Sequence, residues 1–354
     1  MLADILKHAR TSRGIKAREL ANKLDVDATL ISRFESGNRI PTEFQLDQLV
    51  ATLNLDKNEV KAEWLAEKVV RLVAYQPEAR EALILAESRI EYLMASKTYD
   101  LPVVSDTIID RIRYADELKT EWQAKRPLNH TQLLKMKEYF QVENTFESNR
   151  IEGNTLTLQE TQLVVNEGLT ISGKSMREHL EAVNHVDALN FLEELVGAEV
   201  GLTKRNVLDL HRLILKGVDT KNAGVYRSVP VRISGSKHEP AQIYMIEKLM
   251  EDFFSYFNKQ KKRLHPIIMA AEVHERLVSI HPFIDGNGRT SRLLMNMVLL
   301  QNGYSLTHIK GDGESRLAYY KALESVQLDN NPEPFYELVV DATIHSLEEH
   351  LKMV

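Results

Sequence analysis

The chain has 354 residues, 43% hydrophobic and 27% charged, with a formal net charge of −6. At roughly 150 residues per domain this allows about two domains with real cores, and any nucleic-acid contact must come from a local basic patch, not from the total charge. There is no cysteine, which excludes a disulfide scaffold, a thiol nucleophile, an iron–sulfur cluster and cysteine-based zinc sites.

The N-terminal stretch MLADILKHARTSRG scatters charges where a signal peptide would carry an apolar run. The apolar runs at 83–86 and 293–300 fall well short of the roughly 20 residues needed to span a bilayer. A soluble, cytoplasmic protein with no membrane partner is expected. Apolar residues recur at helical spacing in 108–118, 133–141 and 192–196, which predicts a mainly α chain. Changes of pattern suggest three segments: 1–60, a helical connector over 61–105 with its linker at 97–105, and a helical domain over 106–354.

In 18–41, Leu20, Ala21 and Leu24 form one short apolar face. Asp25-Val26-Asp27 makes a turn in which Asp27 can N-cap a second helix, and Gly37 and Pro41 end it. Residues 1–23 carry six basic and two acidic groups, while 1–60 balance at nine each. The segment resembles a Cro/repressor-type helix-turn-helix. That resemblance implies that Ala28, Thr29, Ser32 and Arg33 meet base edges and that Lys16, Arg18 and Arg39 meet phosphates. A docking or dimerisation module is the alternative.

SNRIEGN (148–154) sets Ser148 and Glu152 on one helix face, with Gly153 suited to end that helix and Thr157 and Glu160 to open the next. VPVRISGSKHEP (229–240) alternates β-branched residues into a Ser-Gly-Ser turn and predicts a small β-hairpin.

The densest chemistry is HPFIDGNGRTSR, 281–292, between an amphipathic and an apolar helix. Gly286 and Gly288 let backbone N–H groups converge on an anion at a helix N-terminus. Asn287 adds an amide donor, and Arg289 and Arg292 add two cationic forks. Asp285, the lone carboxylate, suits a magnesium ion shared with phosphate oxygens. His281 can take a proton near neutral pH. Phe283 reads as a buried anchor.

This string resembles the Fic family signature, HPFx(D/E)GNGRxxR, at every fixed position. The resemblance implies a Fic-type helical core that moves AMP from ATP to a Ser, Thr or Tyr hydroxyl of a protein target. His281 would be the general base and Asp285 would hold Mg²⁺. Asn287, Gly286 and Gly288 would hold the α-phosphate, and Arg289 and Arg292 the distal phosphates. Phosphate-transferring relatives carry Lys in place of the second glycine, so Gly288 argues for nucleotidyl transfer. By the same resemblance, 224–240 is a target-docking flap centred on Val231, Arg232, Ile233, Ser234 and Gly235. Tyr319 or Tyr320 stacks on adenine, one of the pair being core, and Gln327 approaches the adenine edge.

The SNRIEGN segment matches the family's inhibitory motif, carried on a helix at about 140–153. The resemblance implies that Glu152 pairs with Arg292 and denies ATP its γ-phosphate grip. Two further readings follow: a hydrolase in which Glu152 positions water to remove AMP, or a transcriptional regulator with a nucleotide-sensing domain. Self-modification and a homodimer are expected, the latter from the two-fold habit of helix-turn-helix readers.

Overall fold

The computed structural model describes residues 1–95 and 101–354, the side chains of 91–95 excepted. It divides into two compact units, Met1–Thr98 and Tyr99–Val354. The expected linker falls partly outside the described residues, at 97–100.

The first unit is built from α1 (Leu2–Ser12), α2 (Ala17–Lys23), α3 (Ala28–Glu35), α4 (Glu43–Thr52), α5 (Lys57–Val73) and α6 (Ala79–Ala95). Short polar side chains start α3, α4 and α5. Asp27 accepts the Thr29 N–H at 2.7 Å, Thr42 and Gln45 form a capping box, and Asp56 caps α5. Asp25 and Gly37, at φ 52° and 72°, make the left-handed turns on either side of α3.

Leu6, Leu20, Ala21, Ile31, Phe34, Leu49 and Trp64 share one core. The Trp64 indole donates to Pro41 O at 2.8 Å, which fastens α5 to the helix-turn-helix. Arg10 holds Glu35 through two hydrogen bonds of 2.6 and 2.9 Å. Thr29, Ser32, Arg33 and Arg39 are exposed. Ala28 departs from expectation. It lies three residues before Ile31, hence on the inward face, and packs half-buried on the core instead of standing clear for a base edge.

The second unit runs α7 (Asp106–Ala124), α8 (His130–Ile151), α9 (Leu158–Glu167), α10 (Met176–Gly197), α11 (Lys204–Ile214), a 3₁₀ turn (Ile243–Met245), α12 (Ile246–Gln260), α13 (Pro266–Ile280), α14 (Asn287–Gln301), α15 (Gly313–Asp329) and α16 (Glu333–Lys352). At its centre α13 packs on α14. Nearly every residue of α14 from Asn287 to Leu299 is buried, arginines included. A helix buried all round belongs to the core, so the loop joining α13 to α14 is anchored at both ends.

The described residues contain no β-strand. The expected β-hairpin at 229–240 is therefore corrected: only its turn forms, with Ser236 N donating to Ile233 O at 3.2 Å and Gly235 at φ 81°. Pro230 and Pro240 remove a ladder donor from each arm. Arg227 occupies carbonyls on both, donating to Val229 O at 3.1 Å and to Ala241 O. No helix among the described residues is long and apolar enough to cross a membrane.

Candidate functional site

The 281–292 loop is positioned from beneath. His281 ends α13 in a left-handed conformation, φ 52°. Phe283 is fully buried and stacks on His211, ring centroids 3.6 Å apart and 10° from parallel. His211 is itself fully buried. Its Nδ1 accepts the Gly224 N–H at 2.9 Å, so Nε2 carries the proton and donates to Asp285 O, also at 2.9 Å. Burial pushes its pKa down to about 4, which keeps it neutral. From the other side Arg227 donates to His281 O at 2.8 Å. Neither residue was singled out from the sequence, because both act through contacts made only on folding.

His281 Nδ1 lies 3.3 Å from Val278 O. A carbonyl can only accept, so Nδ1 bears the proton and the Nε2 lone pair is free. Burial lowers the His281 pKa to about 4, so the ring is a neutral base at physiological pH. Two residues earlier Ser279 donates to Glu275 at 2.5 Å and accepts from Gln327 at 3.0 Å, while His238 of the flap reaches Ser279 O at 2.9 Å. Burial raises the Glu275 pKa to about 7.

Gly286, at φ 78°, N-caps α14. The first-turn amides of Asn287, Gly288 and Arg289 have no acceptor within the helix and carry its positive dipole end. Asn287 is not the side-chain phosphate donor that was expected. Its amide donates to Phe283 O at 2.9 Å and accepts from Phe283 N at 3.0 Å, which closes the loop.

Arg289 also departs from expectation. It is 1% exposed and braced by Asp285 at 3.2 Å and Glu181 at 3.4 Å, so it steadies the loop from inside. Asp285 accepts from Gly286 N at 2.6 Å and from Arg177 at 2.6 Å. Burial opposes its charge, but Arg289, the Gly286 amide and Arg177 outweigh that and hold its pKa below the ordinary value. Arg177 was likewise missed. The described residues hold no group of three metal-ligating side chains.

Arg292 is 4% exposed and fully engaged. It donates through Nε to Ser148 Oγ at 2.9 Å and through Nη2 to Ser148 O at 2.9 Å and Glu152 Oε1 at 2.7 Å. Glu152 is the C-cap of α8, and Gly153 follows at φ 95°. Burial works against the Arg292 charge, and Glu152 and Tyr319 outweigh it, so its pKa lies above the ordinary value. The capping box of Thr157 and Glu160 opens α9.

Tyr319 is the buried member of the tyrosine pair, its hydroxyl 3.1 Å from His274 and 3.5 Å from Arg292. Tyr320 is 38% exposed and donates to Ile151 O at 3.1 Å. At about 100° per residue, Tyr320 and Gln327 share a face of α15. Val231, Arg232, Ile233, Ser234 and Gly235 all remain partly or fully accessible.

Residues 201–299 match the Fic/DOC family and residues 2–62 match a helix-turn-helix domain. Proteins named protein adenylyltransferase Fic are similar over longer stretches. The one from Drosophila grimshawi is 36% identical over 218 residues, 61% of this chain and 44% of that protein. The one from Drosophila persimilis is 30% identical over 325 residues, 86% of this chain and 63% of that protein. The chain thus spans only about half the length of these relatives, 44% and 63%.

Among solved structures, a Fic-domain-containing signalling protein from Bacteroides thetaiotaomicron superposes with a TM-score of 0.62 at 29% identity, covering 68% of this chain and 97% of that one. Fic-1 from C. elegans superposes with a TM-score of 0.63 at 25% identity, covering 95% and 96%. The chain carries a domain of the Fic/DOC family behind an N-terminal helix-turn-helix domain.

Proposed function

We propose that this protein transfers AMP from ATP to a side-chain hydroxyl of a protein target, and that Glu152 holds the activity down. The observation that carries the reading is a neutral histidine, His281, set beside a helix N-terminus whose arginine, Arg292, is occupied by Glu152 at 2.7 Å. The adenylyltransferase names of the relatives support the reaction class.

His281 Nε2 takes the proton of the incoming hydroxyl. The hydroxyl oxygen then forms its bond to the α-phosphorus, the bond from that phosphorus to the bridging oxygen breaks, and pyrophosphate leaves. The first-turn amides of α14 stabilise charge growing on the α-phosphate. Arg292, once released by Glu152, grips the distal phosphates. Tyr320 is the accessible ring for adenine, and the 231–235 turn docks the target chain.

Magnesium fits the donor set. Such ions commonly take one or two protein carboxylates, and substrate phosphates and water supply the rest. Asp285 would be that carboxylate; its partner Arg177 is more than half exposed and has a second carboxylate partner in Glu181. The ion would neutralise charge shared between phosphate oxygens. The N-terminal unit reads DNA through Thr29, Ser32, Arg33 and Arg39, working in the cytoplasm as a homodimer on a two-fold site.

The test is mass spectrometry of Glu152→Gly protein incubated with ATP, Mg²⁺ and lysate. An AMP adduct on a lysate protein, or on the chain's own hydroxyls, supports the proposal. No adduct on either would sink it.

A further inference from the structure

On the opposite side of α15 from Tyr320 and Gln327 lies a cavity of about 730 Å³. That volume falls in the range of small-molecule sites, roughly 300–1,000 Å³. Ser315, Ala318, Lys321, Ala322 and Ser325 line it from α15. At about 100° per residue their mean direction is nearly opposite to the Tyr320 face. The far wall is α16, through Leu338 and Ala342, and the floor is Ile309.

Three observations give the cavity a chemistry. First, Lys310 and Lys321 are exposed at its rim, and no ion pair holds either of them among the described residues. Second, the acidic residues that also reach the rim, Glu337 and Asp341, are already engaged by Arg111. One arginine offsets one of these two carboxylates, so with Lys310 and Lys321 the five groups carry a net charge of +1. Third, His308, 5% exposed, lines the cavity, and its Nε2, 3.9 Å from Glu143 Oε1, makes no hydrogen bond within the chain. A buried polar atom without a hydrogen bond is unfavourable, so this wall is left with hydrogen-bonding capacity unused.

We propose that this cavity binds a small amphipathic anion, a carboxylate or phosphate monoester with an apolar body. Its charged end sits between Lys310 and Lys321, and its body lies on Ile309, Ala322 and Ala342. The site is separate from the 281–292 loop and stands whether or not AMP transfer does.

The test uses methyl NMR of the full chain titrated with phenyl phosphate, with benzyl alcohol and inorganic phosphate as the two half-probes. ATP and Mg²⁺ are present throughout to occupy the other site. Phenyl phosphate is expected to shift the Ile309, Ala318 and Ala342 methyls saturably, with a single site. Affinity should fall about tenfold in K310E/K321E, as expected for losing two charge-assisted contacts, and binding should vanish in Ala342→Trp. No saturable shift of those methyls overturns the proposal. So does benzyl alcohol or inorganic phosphate binding as tightly as phenyl phosphate, or undiminished affinity in both variants.

Discussion

The Glu152 carboxylate occupies the space where a side chain on Gly288 would begin. A Cβ built on Gly288 would overlap Glu152 Oε1 and come to 3.1 Å of Arg292 Nη1. Glycine at this motif position therefore does two things. It leaves the first-turn amide open to an anion, and it gives the inhibitory carboxylate a seat.

That relationship makes a quantitative prediction about Gly288→Ala. In the parent protein the new methyl must push Glu152 off Arg292, which breaks a buried ion pair. In a Glu152→Gly background the same methyl no longer meets a carboxylate and is left with Arg292 Nη1 at 3.1 Å. A double-mutant cycle by urea unfolding should show coupling of about 1–3 kcal/mol between the two positions. Additive effects would mean that the carboxylate does not sit on Gly288 in solution.

Release of the brake is read more directly through activity. Glu152→Gly takes the carboxylate off Arg292 Nη2, which keeps its bond to Ser148 O, and should raise incorporation of labelled AMP into the chain or a lysate protein by about tenfold or more. That magnitude follows from coupling energies of about 1–3 kcal/mol between an inhibitory contact and a site. Equal labelling of variant and parent would refute autoinhibition. Glu152→Gln, which keeps the shape and loses the charge, should fall between the two.

The pH profile follows from His281. Its pKa is lowered to about 4, and the base works only when unprotonated. Activity of the Glu152→Gly protein should therefore stay flat as pH falls from 7 to about 5 and drop only near 4. An unperturbed histidine would give an acid limb near 6.5. Glu152 itself raises the His281 pKa, so its removal moves the limb further down, not up. A limb at 6 or above would show that His281 is solvated in the working state. His281→Ala in the same background should abolish labelling while ATP still binds.

Much of this site is legible in the sequence because it is local. Residues 281–292 are contiguous, and Ser148 and Glu152 are one helical turn apart. The family resemblance supplies the pairing with Arg292, and the folded chain makes it at 2.7 Å. What could not be read is what other elements do to these residues. The Asn287 amide is turned inward by Phe283, Arg289 is sealed under Glu181, and Tyr319 rather than Tyr320 is buried. The hairpin reading failed because β-branched alternation says nothing about Arg227, which takes carbonyls from both arms.

His211 tests the idea that the loop is held from below. His211→Ala removes a stacked ring and two hydrogen bonds. It should lower stability by about 2–4 kcal/mol, by analogy with other buried aromatic and hydrogen-bond losses. His211→Gln can restore a donor to Asp285 O but not the stack on Phe283. If His211 positions the loop, Gln should recover ATP affinity in part while kcat stays low. If it only fills space, Leu should serve as well as Gln in both parameters.

The N-terminal unit separates base reading from structure through two classes of arginine. Arg10 is tied to Glu35 at 2.6 Å, and its loss should lower the thermal midpoint. Arg33 and Arg39 are exposed, so replacing them should leave folding intact. On operator DNA selected from a random pool, Arg39→Ala should weaken binding evenly across sequences and reduce the salt slope by about one, the signature of a lost phosphate contact. Arg33→Ala, on the outer face of α3, should instead relax preference at one base position at a cost of about 1–3 kcal/mol. The order matters, because a patch that only attracted polyanions would give the two variants the same salt effect and no change in preference. That result, or no retardation of any DNA at low salt, would make the unit a docking module.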